Sequence, residues 1–438
     1  MNPMSHDASS AASPTPHRAG TQSLRALAGE TLRFNDAGSY TFPDRDQYPH
    51  QWAWDSAFSA LGWAHIDSRR GYSELTTLMA AQGAGAMVPH IAYDPRSSAK
   101  AYRPEPDAWG VLHGPDGRAV SAITQPPVAA MALRYLYEHA PALDTARELV
   151  ARIFGWHRFL LTVRDPEGRG EPILIHPWES GRDNSVEWDE PLQRIEPSDY
   201  GARADTAHVD ETQRPTGTEY GRYQALIDHG RETGWNQDAL VQNGPFRAID
   251  TGFSVILAAA CHDLSIVADA VGSYDIARAS DADAKSITRS LLRRADDDGI
   301  AWSVDLVTGT DQHVLTAGTA LLALLPDAPP AVIRRIAGLV LDGELASPYG
   351  VRSLDRSHQQ LEPQRYWRGP VWANITWLCA LGLDRNGRPD EANELRMRML
   401  RAVGEGGMRE YFDPDTGEGL GSRAFSWTAA VVLATTEN

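Results

Sequence analysis

The sequence predicts an all-α protein, a closed toroid of helical hairpins with its long loops gathered at one end. Three observations predict it. Apolar residues recur at three- and four-residue spacing in about a dozen segments, with Gly and Pro at the breaks. These segments come in consecutive pairs, with few convincing strands between them. No strict repeat runs along the chain, as an open solenoid would show, so the hairpins must bury their apolar stripes by closing on one another.

Taken in order, residues 1–20 are rich in Ser, Ala and Pro and lack an apolar core, so they read as a disordered tail and not as a signal peptide. A single domain is expected over 21–438. Helical spacing covers 53–66 and 71–82 as a first pair, 125–139 and 142–163 as a second, and 218–232 behind the Arg214–Pro215 break. A long pair follows at 246–270 and 273–296, then 310–325 with 330–341, and 369–383 with 389–403. A last helix over 426–436 completes the set. Aromatic and acidic residues concentrate between these helices, at 42–54, 87–109, 175–216, 347–372 and 408–427. Loops on a rigid scaffold carry function, and the stretch 175–216 is too long to be an idle connection.

At 438 residues the chain can bury a core that needs no disulfide or structural metal. Cys261 and Cys379 each sit in an apolar helical run and read as core residues. So few cysteines fit a reducing compartment, and a cytoplasmic location is expected. The formal net charge of −17 excludes a general nucleic-acid partner. No apolar run reaches ~18 residues, so no membrane partner is expected. Homo-oligomerisation is left open. The histidines show no metal-ligand spacing, and the chain has no phosphate loop, dinucleotide fingerprint or nucleophile elbow. Neither a metal nor an organic cofactor is expected.

The chemistry-bearing segments pair carboxylates with aromatic rings. In HPWESGRDNSVEWD at 176–189, Trp178 and Trp188 flank a small-residue turn that carries Asp183. Glu179, Asp183, Glu187 and Asp189 cannot all be catalytic. Asp183 is preferred because Gly181 and Ser185 leave room around it and the tryptophans can exclude water, and desolvation raises a carboxyl pKa as a general acid requires. Far downstream, Glu410 is followed by Tyr411, Phe412 and a glycine-rich turn. Trp52, Trp54 and Asp55 form a third such place, with the plainer alternative of a helix start. Arg365 and Arg368 lie in an aromatic-basic cluster that could bind hydroxyls or an anion. Aromatic faces suit the C–H faces of sugar rings and carboxylates suit their hydroxyls. Glycoside hydrolysis, with one carboxyl as proton donor and another as acceptor, is the chemistry this pattern suggests.

Together these segments resemble the bacterial branch of glycoside hydrolase family 63, the mannosylglycerate and glucosylglycerate hydrolases. The matching stretches are YPHQWAWDSAF (48–58), MVPHI (87–91), HPWESGRDNSVEWD, RPTGTEYGRY (214–223), SPYGVRS (347–353), YWRGPVWANITWL (366–378) and EYFDPDTGEGLGSRAFSWTAAVVL (410–433). The resemblance implies an (α/α)6 barrel. It implies Asp183 as general acid and Glu410 as general base, and Trp52, Trp54 and Asp55 as the sugar-subsite wall. Further pocket positions would be Gln125, Trp178, Trp367, Trp372 and Trp427. Arg214 and Tyr220 would hold a glycerate carboxylate, and Tyr48, Tyr102 and Tyr366 would be loop tyrosines that close over the ligand. Val186 and Glu187 depart from the family's frequent Pro-Arg at that place.

The expected activity is an inverting α-glycosidase acting on a small glycoside with an anionic aglycone. Glucosylglycerate is the first expectation and mannosylglycerate the second. A neutral-oligosaccharide α-glucosidase and a non-catalytic sugar-binding protein are the alternatives. Inversion requires a water between the two carboxyls, which places them ~6.5–9.5 Å apart. A strongly acidic chain must offer an anionic substrate a local arginine. Arg214 is the candidate, with Arg365 or Arg368 in reserve.

Overall fold

The computed structural model describes residues 20–83, 85–98, 102–201, 203, 205–207 and 209–436. Apart from Gly20, the expected N-terminal tail lies outside the described residues.

Twelve segments build a closed double ring. In chain order they are α1 (Thr21–Phe34), α2 (Ala53–Ala64), α3 (Ser68–Ala80), α4 (Ala129–His139), α5 (Leu143–Thr162), α6 (Thr251–Ala270) and α7 (Tyr274–Arg293). They continue with α8 (Ala317–Ala320, extended by the 3-10 turn Leu321–Leu324), α9 (Pro330–Leu341), α10 (Ala373–Arg385), α11 (Pro389–Gly406) and α12 (Ser426–Thr435). The even-numbered segments form the inner ring. Each packs on the next, α2 on α4, then α6, α8, α10 and α12, and α12 returns to α2. Each odd-numbered helix packs on at least one of its sequence neighbours. The architecture is an (α/α)6 barrel.

Burial explains which helix goes where. From Ala53 to Trp63, α2 has no exposed face, and α6 and α12 are almost as fully enclosed. A helix that is apolar all round has to sit inside. By contrast α7 buries Ala277, Ser280, Ala284, Ile287 and Leu291 on one stripe and turns Arg, Asp and Lys outward. By length and composition α6 could cross a membrane, but it is buried in the ring. Local signals set the starts. Asp67 and Asp250 accept from backbone N–H groups in the first turns of α3 and α6. Pro330 and Pro389 stand in the first turns of α9 and α11, where a missing N–H costs little.

Several helix bounds differ from expectation, each for a physical reason. Residues 248–249 and 310–312 belong to a four-stranded antiparallel meander of Ile173–Leu174, Ala248–Ile249, Ser303–Asp305 and Thr310–Gln312. The helices expected from 246 and 310 therefore begin at Thr251 and Ala317. Two- and three-residue strands are too short to show a period. Pro126 and Pro127 delay α4 to Ala129, and Gly369–Pro370 delays α10 to Ala373. The outer helix α1 and the short helix Gln237–Asn243 were not expected from the sequence. The helix Gly217–Glu232, outside the ring, starts on a capping box of Thr216 and Glu219.

The first and last inner helices meet closely at Gly62 of α2. A Cβ there would lie 2.6 Å from Leu32 Cδ1 on α1 and 2.8 Å from the Ala430 Cα on α12. In an open helix Gly→Ala gains ~1 kcal/mol, whereas overpacking a tight core costs ~1–3 kcal/mol. Backbone cannot rotate out of the way, so the cost wins. Gly62→Ala is expected to lower the urea midpoint. A midpoint equal to or above that of the parent would mean α2 and α12 have slack between them.

Candidate active site

The five aromatic loops meet at one end of the barrel, where the inner helices begin. They wall a cavity of about 780 Å³, its open mouth included. Trp54, in the first turn of α2, and Trp427, in the first turn of α12, meet edge to face at 5.2 Å. Trp367 lies beside Trp54 and is backed by Trp372, the two rings being parallel at 3.8 Å. This makes a rigid aromatic floor. Trp427 also has a buried indole N–H with no acceptor among the described residues, a donor left to a ligand. Gln125 accepts from the Trp54 backbone N–H at 3.2 Å. Trp178 stacks on His90 at 5.9 Å. Tyr48 and Tyr102 pack edge-on against Trp52 at 5.4 and 4.9 Å.

Asp183 follows the left-handed Gly181 (φ 70°), where a Cβ would strike Trp54 at 2.7 Å. Only glycine permits both that turn and that approach. The other three acids of the segment are each taken by an arginine. Glu179 pairs with Arg164 at 2.7 Å and Glu187 with Arg182 at 3.1 Å. Asp189 receives two bonds from Arg368, both 2.8 Å. Among the described residues no basic side chain forms an ion pair with Asp183. Burial pushes its carboxyl up to about 7, opposed by its own backbone N–H and by the field of Arg214, and helped by Glu219 and Glu410. The backbone around it is pinned. Tyr223 Oη donates to the Asp183 carbonyl at 2.9 Å, and Trp188 Nε1 to the Arg182 carbonyl at 3.1 Å.

Glu410 shares the cavity in a different setting. Arg214 donates to it from Nη2 at 2.6 Å and from Nη1 at 3.2 Å. Tyr48 Oη donates to Oε1 at 3.0 Å and the Ser422 N–H to Oε2 at 3.0 Å. The guanidinium is caged by the rings of Tyr48, Tyr366 and Tyr411, 5.7, 5.0 and 6.0 Å away. A third cavity carboxyl, Asp55, is driven well above the usual range by burial. Its own backbone N–H opposes this, and the charges of Glu410 and Glu74 add to it.

Most expected residues therefore converge. Asp183, Glu410, Tyr48, Trp52, Trp54, Asp55, Tyr102, Gln125, Trp178, Tyr220, Tyr366, Trp367 and Trp427 all line the cavity. Two do not. Trp372 stands behind Trp367. Arg214 was expected to receive the substrate's carboxylate, but its fork is filled by Glu410 and its side chain is 1% exposed. Tyr220, expected beside it on the same acid group, donates instead to Asp205 at 2.9 Å. Both reserve arginines are elsewhere too, in a separate outer recess. Arg365 pairs with Glu219 and Glu362, and Arg368 with Asp189. The wall also holds His90, Arg103, Tyr200, Asp205 and Phe425, none of which was singled out in the sequence. His90 and Phe425 lie inside matched motifs and could have been found. Arg103, Tyr200 and Asp205 lie in stretches with no sharp pattern. Among the described residues no three His, Cys, Asp or Glu side chains are grouped to hold a metal ion.

A family model for the mannosylglycerate hydrolase MGH1-like glycoside hydrolase domain matches residues 48–428. Mannosylglycerate hydrolase MGH1 of Selaginella moellendorffii is 39% identical, covering 94% of this chain and 85% of its own. Glucosylglycerate hydrolase of Mycolicibacterium hassiacum is 34% identical, covering 94% and 97%. The crystal structure of a family 63 mannosylglycerate hydrolase from Thermus thermophilus, in complex with Tris and D-glycerate, superposes with a TM-score of 0.85. That match has 37% identity and covers 94% of this chain and 100% of that one. With fold, motifs and cavity in agreement over nearly the whole described length, the chain belongs to the MGH1-like branch of glycoside hydrolase family 63 and is a glycoside hydrolase.

Proposed function

We propose an inverting α-glycosidase that hydrolyses a small hexoside of glycerate. The observation that carries this reading is the contrast between two carboxyls of one cavity. Asp183 is buried and has no cationic partner among the described residues, whereas Glu410 is gripped by Arg214. The first is suited to hold a proton and the second to accept one. Asp183 donates its proton to the bridging oxygen as the bond from that oxygen to the anomeric carbon breaks. Glu410 takes a proton from a water that attacks the same carbon from the other face. Arg214 and Tyr48 position the Glu410 carboxylate, while Trp54, Trp427 and Asp55 hold the sugar. Glucosylglycerate is the first substrate proposed. Mannosylglycerate, named for the Selaginella and Thermus relatives, is the second. The two sugars differ only at C2. Residues 21–438 are assigned to one catalytic domain.

Asp183→Asn and Glu410→Gln are each expected to reduce kcat by ~10²–10⁴-fold, with the circular dichroism spectrum of the parent retained. A folded variant of either kind with near-parental turnover removes that residue from the mechanism.

Because Asp183 must be protonated to act and its pKa stands at about 7, kcat/KM should fall as pH rises through that value. Beyond it the decline should approach about tenfold per unit. A profile flat from pH 6 to 9 would show that the donor does not titrate there.

Proton NMR of glucosylglycerate, mannosylglycerate, trehalose and kojibiose with the enzyme identifies both substrate and stereochemistry. A glycerate glycoside should be cleaved fastest, and the β-anomer of the free sugar should appear first. Initial release of the α-anomer would point to a covalent intermediate and end the water-activating role of Glu410. Faster cleavage of trehalose or kojibiose would favour the neutral-oligosaccharide alternative.

A further inference from the structure

Three segments of the active end are tied together by a carboxylate that does not itself line the cavity. Glu219, in the first turn of the helix Gly217–Glu232, faces the outer recess instead. Its Oε1 accepts from Nδ2 of Asn184, the neighbour of Asp183, at 2.8 Å. Its Oε2 accepts from the Thr216 N–H at 2.5 Å and the Thr216 hydroxyl at 2.8 Å, and it pairs with Arg365. We infer that Glu219 is a positioning residue for the reaction: it ties the Asp183 turn to the segments that carry Arg214 and Tyr366, and it keeps a negative charge near Asp183. This rests on the reading of Asp183 as the proton donor.

Helix capping alone does not account for these bonds. A capping box uses glutamine as readily as glutamate at this place, and the Thr216 bonds fall on one oxygen. The rest of the carboxylate is turned to other segments. Arg365, which meets Glu219 through Nη2, donates from Nε to the Arg214 carbonyl at 3.3 Å and pairs through Nη1 with Glu362 at 2.8 Å. Arg368 Nη1 lies 3.9 Å from Glu219, and the same guanidinium grips Asp189. Tyr366 and Trp367, both on the cavity wall, stand between these two arginines in sequence. Tyr366 has a φ of 40°, which a residue other than glycine keeps only where its surroundings hold it. The charge acts as well as the bonds. Asp183 is faced by Glu410, Arg214, Tyr102 and Tyr366, and by Glu219 and Tyr223 from outside the cavity lining. Burial raises its pKa most, its own backbone N–H and Arg214 lower it, and Glu219 and Glu410 raise it. Removing the charge of Glu219 therefore lowers that pKa, and the donor loses its proton at a lower pH.

The test measures kcat and the pH profile of kcat/KM for the parent, Glu219→Gln, Glu219→Asp and Asn184→Ala, with circular dichroism to check the fold. The substrate is whichever of glucosylglycerate and mannosylglycerate the parent cleaves. Glu219→Gln keeps a capping side chain but loses the charge and the ion pair with Arg365. Its kcat should drop by about ten- to a hundred-fold, and the fall in kcat/KM should move to lower pH. Glu219→Asp restores the charge and should return the fall to the parental pH. Asn184→Ala cuts the link and leaves the charge, so kcat should drop while the pH of the fall stays. A folded Glu219→Gln with the parental kcat and profile overturns the inference and leaves Glu219 a helix cap. A lowered kcat with the profile unmoved overturns the role of its charge. Should Glu219→Gln not fold, Asn184→Ala decides: a loss of kcat upholds the positioning role and a parental kcat overturns it. Parental turnover by Asp183→Asn overturns the proton-donor reading itself, whatever the Glu219 variants show.

Discussion

The active end of this barrel hangs on one buried guanidinium. Arg182 lies where α6 and α8 begin, its Nη2 2.8 Å from Asp250 and 3.1 Å from Glu187. A Cβ on Gly252 or Gly318 would come within 2.7 or 2.5 Å of it. Two helix N-termini and an arginine are all electropositive, so the arrangement holds only because two carboxylates share the space. Asp250 also caps α6, so the pair welds the loop to the inner ring. Gly181 and Asp183 are the residues on either side of Arg182. The turn against Trp54 and the Asp183 carboxyl are thus presented by the barrel itself, although both belong by sequence to a long loop. Removing one partner of such a buried pair costs ~3–5 kcal/mol, and here that cost would fall on the geometry of Asp183.

Charge compensation also separates the roles of the carboxyls. Glu179, Glu187, Asp189 and Glu410 each face an arginine, and Asp183 forms no such pair among the described residues. Burial pushes the Asp183 carboxyl up, and no guanidinium is bonded to it among the described residues. One cavity therefore holds carboxyls in both settings. What differs is the placement of Arg214, which the three tyrosines around it keep away from the substrate space.

Much of this was legible in the sequence because it rested on local pattern. Apolar spacing over 53–66 and 246–270 announced two of the helices, and carboxylates among tryptophans marked Asp183. Glu410 followed from its aromatic neighbours and from the family resemblance. What escaped was relational. Arg214 carries the right chemistry for a carboxylate, but sequence cannot say whose carboxylate it meets, and Glu410 is 196 positions away. Arg103 and Asp205 sit in unpatterned loops and reach the wall only through the fold. The helix α1 did leave a trace, since Leu24, Ala28 and Leu32 recur every four residues and all are buried. That short stripe adjoins the Ser- and Pro-rich stretch and was hidden by it.

The meeting of α1, α2 and α12 around Gly62 bears on how the molecule comes into being on the ribosome. Asn35 Nδ2 donates to the Ala424 carbonyl and to Ser426 Oγ, partners 389 and 391 positions away. The Tyr48–Glu410 bond spans 362 positions. Such contacts repay their loop-closure entropy late, which slows folding. During synthesis the first inner helix, apolar on every side, has to wait for the last one to emerge before its surface is covered. An unfinished chain would be both catalytically silent and adhesive, a natural client for chaperones, and the enzyme would switch on only when the circle is joined.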